Sequence, residues 1–210
     1  MVAGAVLAGG ASRRMGVDKA RLPLDGLPLA EHMAQRLRAA GISPCVLVRR
    51  GPPDGLPWKT PCIRDAPGSS SHPLSGAVAA LNWSPEGVVL VATDLVHLAV
   101  ADMRNLAQNP GASLWWQDRH VMAVHLAAQD RDPLAQAVAS GSAVGAWLSS
   151  RPRLEATRDP GNLNRPEDFA PFDPARALSE ALGLTGEEAA RLRRGERQRL
   201  RSRGCLLPPA

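Results

Sequence analysis

Val2 to Leu7 is a short apolar run without a charge, and it empties directly into Leu7-Ala8-Gly9-Gly10-Ala11-Ser12-Arg13-Arg14-Met15-Gly16-Val17-Asp18-Lys19. A run this short, bounded by glycines, reads as a buried strand. Pro28 to Ala40 then places Leu29, Met33, Leu37 and Ala40 at helical spacing. Strand, loop and helix in that order are the opening unit of an α/β domain. The pattern repeats along the chain. Strands are expected at Ile42 to Val48, Cys62 to Arg64, Val88 to Ala92, Ala112 to Trp116 and Val121 to Ala127. Helices are expected at Leu74 to Trp83, near Ala99 to Gln108, at Pro133 to Ala139 and at Ala143 to Ser149. Such alternation implies a mainly parallel sheet covered by helices on both faces. Ligands of such sheets bind beyond the carboxyl ends of the strands, and Gly9-Gly10 and Asp94 both fall there.

The chain has 210 residues, enough for one domain with a sizeable core, and we place the end of that domain near Phe169. Beyond it, Pro174 to Leu182 and Gly186 to Arg203 read as helical. The expected organisation is therefore a domain over residues 1–171 and a basic helical C-terminal extension over 172–210. The formal charge of +5 belongs to that extension: Arg191 to Arg203 holds seven arginines against Glu196, and the remaining 18 basic residues face 19 acidic ones. A high pI concentrated in a solvated tail argues against nucleic acid as the partner. An Arg-rich arm that binds RNA or a protein is the alternative reading of the same residues.

The longest apolar stretch, Gly87 to Val100, is broken by Asp94 and His97 and is too short for a membrane span. Arg13-Arg14 follow the N-terminal apolar run, the reverse of a secretory signal, so a cytoplasmic protein is expected. Cys45, Cys62 and Cys205 are widely spaced and form no zinc pattern. His32, His72, His97, His120 and His125 show no ligand spacing and are read as packing or surface residues. Trp115-Trp116 is read as core strand.

The chemistry is concentrated in the first loop. Glycines allow backbone N–H groups to approach phosphate oxygens, and fixed cations neutralise the charge that builds up when a phosphoryl group is attacked. This is not a Walker A loop, because Lys19 does not directly follow Gly16, and there is no GxGxxG. Lys19 and Lys59 are the only lysines among 25 basic residues. Where a chain that uses Arg almost everywhere keeps a lysine, a compact ammonium is indicated.

The run LAGGxSxRMGxDK resembles the nucleotide loop of the molybdenum cofactor guanylyltransferases and their MobA-like nucleotidyltransferase relatives. The resemblance continues through Gly26-Leu27-Pro28-Leu29, Asp65, Pro73-Leu74-Ser75-Gly76, Asp94 and Asn162-Leu163-Asn164-Arg165-Pro166-Glu167-Asp168, covering roughly residues 2 to 169. It implies a Rossmann-like, three-layer nucleotidyltransferase fold. It also implies an enzyme that binds GTP and Mg2+ and joins GMP to the phosphate of molybdopterin, releasing pyrophosphate. By position, Leu7, Ala8 and Gly9 contact base and ribose through their backbone, with Gly10 and Ser12 in the same nucleotide-binding loop. Arg14 and Lys19 face the phosphates, Asp65 contacts the nucleotide, Asp94 binds magnesium and nucleotide, and Asn164 or Asn162 supplies an amide near the metal. Arg14, Lys19 and Asp94 are thereby the catalytic set. The implied partners are GTP, a molybdopterin-type acceptor, and proteins of molybdenum cofactor biosynthesis or molybdoenzyme maturation.

Each residue also has a plainer reading. An Asp after a buried strand often caps the next helix, and Asn162 and Asn164 flank a turn in which Asn commonly bonds its own backbone. The chain departs from the family pattern in three places. Leu95-Val96-His97 stands where a proline usually follows the metal Asp, His72 precedes Pro73, and a proline near His120-Val121 is missing. The nucleotide side is therefore better matched than the acceptor side. Cytidylyl transfer, another phosphorylated acceptor and a non-catalytic nucleotide-binding homologue remain alternatives.

Overall fold

The computed structural model describes residues 2–9, 18–24, 27–50, 58–65, 72 and 74–161. Gly10, Ser12, Arg14, Asn162, Asn164 and the C-terminal extension lie outside the described residues. Nine strands are described: β1 (Ala3–Leu7), β2 (Pro23–Leu24), β3 (Leu27–Pro28), β4 (Cys45–Arg49), β5 (Cys62–Arg64), β6 (Gly87–Ala92), β7 (Ser113–Trp116), β8 (Arg119–Ala127) and β9 (Arg153–Glu155). They are joined by helices α1 (Leu29–Ala39), α2 (Ser75–Trp83), α3 (Val100–Gln108), α4 (Arg131–Ala139) and α5 (Val144–Ser149). Seven strands form one sheet in the order β5-β4-β1-β6-β8-β7-β9, while β2 and β3 make a separate small hairpin.

The pairings β1–β4, β1–β6, β4–β5 and β7–β9 are parallel, and β6–β8 and β7–β8 are antiparallel. The expected mainly parallel sheet is found, with an antiparallel insertion. Its source is the hairpin between β7 and β8, whose two turn residues Gln117 and Asp118 have φ of 46° and 59°. Two-residue hairpins demand positive φ and usually advertise it with Asn-Gly or Gly; Gln-Asp does not, so the sequence shows two strands there without showing the turn.

Strand periodicity divides the core into two layers. Val6, Leu47, Val89, Val91 and Ala123 point to the side of α1 and α3, where they meet Met33, Leu37, Met103 and Leu106. Ala5, Val46, Val88, Leu90 and Leu126 point to the other side, against Ala77 and Leu81 of α2, Leu134 of α4 and Trp147 of α5. The result is the three-layer α/β arrangement that the alternation implies. No described helix is long and apolar enough to cross a membrane.

Buried carboxylates tie the connecting segments to this frame. Glu31, on α1, accepts from the Thr60 amide at 2.8 Å and hydroxyl at 2.7 Å. Asp102, on α3, accepts from the Thr157 amide at 3.1 Å and hydroxyl at 3.2 Å. Asp130 accepts from the Ala127 amide at 2.8 Å and pairs with Arg151 at 2.7 Å. Each buried charge is thus hydrogen-bonded, as burial requires. The histidines behave as packing residues where they are described in detail. His125 bonds the Leu106 carbonyl, His120 the Ser149 hydroxyl, and His72 sits between the Leu74 amide and the Ser142 carbonyl.

Candidate active site

Strands β5, β4, β1 and β6 end side by side, and the residues after them form the site. Leu7 stands in register with Val48 on one side and Ala92 on the other. The chain leaving β1 is gripped from both neighbours: the Ala8 amide donates to the Val48 carbonyl at 2.8 Å, and the Thr93 amide and hydroxyl both donate to the Leu7 carbonyl. The Leu7 carbonyl and the Ala8 amide are both engaged by neighbouring strand ends among the described residues.

Gly9 is required by the packing itself. A Cβ there would lie 2.7 Å from the backbone nitrogen of Arg50, a contact with main chain that cannot move aside. Gly76 makes room in the same way. A Cβ on it would lie 2.7 Å from Leu7 Cδ2 and 3.1 Å from Asp65 Oδ1. Gly9 lets the exit of β1 close on the end of β4, and Gly76 lets the start of α2 close on Leu7 and Asp65.

Lys19 and Asp94 are brought together from 75 positions apart: Nζ lies 3.0 Å from Oδ2, with side chains 14% and 21% exposed. Sequence reasoning assigned the first to phosphate and the second to metal, and here each holds the other. Lys19 is placed by a 3-10 turn, Lys19–Arg21, capped by Asp18 through the Ala20 amide at 3.1 Å and anchored by buried Ala20 and Leu22. Asp94 sits two residues past β6. It does not cap α3, whose N-cap position is Ala99, with no side-chain cap bond. The capping alternative is thereby removed.

Asp65 follows β5, its amide bonded to the Arg49 carbonyl at 3.0 Å and its carboxylate 3.7 Å from Arg50 Nε. Burial raises its pKa above the ordinary carboxylate value, and Arg50 and a Ser75 hydrogen bond pull the other way. Sequence reasoning gave no role to Asp18, Arg49 or Arg50. Arg49 donates to Asp18 at 2.6 Å, Arg21 pairs with the same oxygen at 3.3 Å, and the Arg49 guanidinium lies 4.9 Å over the Trp58 ring. The signal was available: Arg49-Arg50 directly follow a strand that reads as buried, at the carboxyl end where ligands bind.

The described part of the site therefore alternates Lys19, Arg21, Arg49 and Arg50 with Asp18, Asp65 and Asp94 around a glycine-lined strand exit. Such an array suits a polyphosphate, because its cations are already fixed in place before charge develops. The donor set also fits magnesium, which takes one or two carboxylates and fills its other positions with phosphate and water. Asp94 offers one carboxylate at this strand exit, and among the described residues there is no cluster of three or more His, Cys, Asp or Glu.

Comparison with known proteins agrees with this geometry. The family described as MobA-like NTP transferase domain matches residues 4–156. A molybdenum cofactor guanylyltransferase from Rhodobacter capsulatus is 32% identical over 190 residues, spanning 80% of this chain and 93% of that protein. A probable molybdenum cofactor guanylyltransferase from Mycobacterium tuberculosis is 39% identical over 113 residues, 51% of this chain and 55% of that protein. Among solved structures, the molybdopterin-guanine dinucleotide biosynthesis protein A of Archaeoglobus fulgidus superposes with a TM-score of 0.65 at 19% identity, over 87% of this chain and 100% of that one. At that identity the superposition speaks for the fold.

Proposed function

This chain belongs to the MobA-like NTP transferase family, and from that premise we propose that it transfers GMP from GTP to the phosphate of molybdopterin, releasing pyrophosphate, with Mg2+ as cofactor. The observation that carries the reading is the Lys19–Asp94 pair, which joins the 3-10 turn Lys19–Arg21 to the exit of β6. A protein nucleophile is unnecessary. An oxygen of the acceptor phosphate forms the new bond to the α-phosphorus of GTP, the bridging bond to the β-phosphate breaks, and its electron pair leaves on pyrophosphate. The protein's part is to position the two phosphates and neutralise charge.

In this reading Lys19 exchanges Asp94 for a phosphate oxygen when GTP enters. Arg14 is the second cation on the triphosphate, alongside Gly10 and Ser12 in the same loop, and Asp65 contacts the nucleotide. Asp94, with Asn164, holds Mg2+, which when bound supplies charge neutralisation at the phosphates. Residues 1–171 form the transferase unit, residues 172–210 a basic helical extension, and the setting is the cytoplasm.

The test is pyrophosphate release by purified protein with molybdopterin, Mg2+ and each nucleoside triphosphate in turn. Release with GTP that requires the acceptor supports the proposal. Release with CTP alone replaces guanylyl by cytidylyl transfer, and nucleotide binding without any release leaves a non-catalytic homologue.

A further inference from the structure

Two arginines on different elements converge on one loop without meeting a carboxylate. Arg36, in the last turn of α1, donates through Nη2 to the Leu98 carbonyl. Arg158, beyond β9, donates through Nε to the His97 carbonyl at 2.9 Å. These carbonyls belong to consecutive residues, whose Cα atoms stand ~3.8 Å apart, so both guanidiniums are drawn to one place where α1 packs on α3.

Six other cations do meet acids: Lys19 has Asp94, Arg21 and Arg49 share Asp18, Arg50 has Asp65, Arg151 has Asp130, and Arg153 has Asp118 and Glu155. Arg36 and Arg158 form no ion pair among the described residues. The nearby acids are committed elsewhere, Asp102 to Thr157 and Asp159 to the Gly161 amide at 2.9 Å. Arg36 Nε is buried and without a hydrogen-bond partner. Burial first, and the neighbouring Arg158 charge second, lower the Arg36 pKa from its ordinary value. Like charges on a half-buried Arg36 and an exposed Arg158 are a cost that an anion removes. Each guanidinium spends one donor on its carbonyl and retains others in the planar fork that matches a tetrahedral oxyanion.

We propose that Arg36 and Arg158 form a binding site for a phosphate-type oxyanion, made from residues that the nucleotide site does not use. The ligand is inorganic phosphate, pyrophosphate or a phosphate monoester, bound by two guanidinium forks. Once bound, it bridges α1 to residues 157–161, the segment that Asp102 already fastens to α3. The inference does not depend on the transferase reading.

The experiment is calorimetric titration of the full chain with inorganic phosphate and with pyrophosphate, at constant ionic strength, in the parent and in Lys19→Ala, Arg158→Gln and Arg36→Lys. The parent and Lys19→Ala are expected to bind phosphate equally. Arg158→Gln, a change at an exposed side chain that leaves the fold intact, is expected to weaken binding by about tenfold or more. Arg36→Lys keeps the charge but not the fork and is expected to fall between. Equal affinity for inorganic phosphate and pyrophosphate indicates a pocket for one phosphoryl group, and a preference for pyrophosphate indicates that both guanidiniums take separate groups. The proposal is overturned if Arg158→Gln binds as the parent does, if Lys19→Ala abolishes binding, or if the binding disappears when chloride replaces an inert anion at the same ionic strength.

Discussion

The two halves of the main sheet are built from similar residues and do different things. In β5, β4, β1 and β6 every strand points the same way, so four strand exits deliver Asp65, Arg49-Arg50, Gly9 and Asp94 to one edge. At β8 the direction reverses, and the buried charges that follow it are spent on structure. Asp130 and Arg151 pair within the protein, and Arg151 lies 3.9 Å over the Trp147 ring. Strand direction thus decides whether charges collect into a site or are consumed locally. The parallel half should be sensitive in activity, and the antiparallel half in stability.

The largest effect is expected at Asp94. Asp94→Ala should lower pyrophosphate release by about 10²–10³-fold, the scale of a lost electrostatic contact at a transferring phosphate, with little change in Tm. A variant that turns over normally places the metal elsewhere.

The opposite behaviour is expected at Asp130, whose side chain is 10% exposed. Asp130→Ala leaves Arg151 buried without its partner and should cost about 3–5 kcal/mol of stability in denaturant unfolding. The protein that remains folded should keep its turnover. A selective loss of activity would mean that the antiparallel half shares in the site.

Lys19 comes third. A pocket of closely approaching backbone admits a compact ammonium better than a planar fork. Lys19→Arg should therefore lose about ten- to a hundred-fold in GTP affinity or rate, roughly 1.5–3 kcal/mol, nearly as much as Lys19→Ala. Parent-like behaviour of Lys19→Arg would reduce the residue to its charge.

The smallest effect is expected at Asp65 and has a sign that distinguishes function from stability. Burial raises its folded pKa, so its ionised form opposes folding at neutral pH and the opposition disappears as pH falls below the unfolded value. Asp65→Asn should raise Tm at pH 7, with the gain vanishing toward pH 3, while GTP binds less tightly. A lower Tm at pH 7 would show that Arg50 and Ser75 outweigh the burial.

Much of this was legible in the sequence. The apolar runs of β1, β4 and β6 and the spacing of Leu29, Met33 and Leu37 mark buried elements because one period fits each. The positions of Gly9, Asp65 and Asp94 follow from those strands ending together. What was not legible lacks a local pattern. Arg153–Glu155 is a three-residue strand with a single apolar side chain, and it exists because β7 offers it a parallel edge. The Leu7 carbonyl accepts from Thr93, which is 86 positions away. The exchange of roles between Lys19 and Asp94 is likewise a tertiary contact that no spacing encodes.

That contact is the centre of the account, and Mn2+ binding followed by electron paramagnetic resonance tests it most directly, with Mn2+ standing in for Mg2+. In the parent, Mn2+ should bind weakly without nucleotide, because Lys19 occupies Asp94, and tightly once GTP draws Lys19 away. Lys19→Met should bind Mn2+ more tightly than the parent in the absence of GTP, and Asp94→Asn should bind it weakly in both conditions. Mn2+ affinity that is the same in the parent and Asp94→Asn with GTP present would contradict the account.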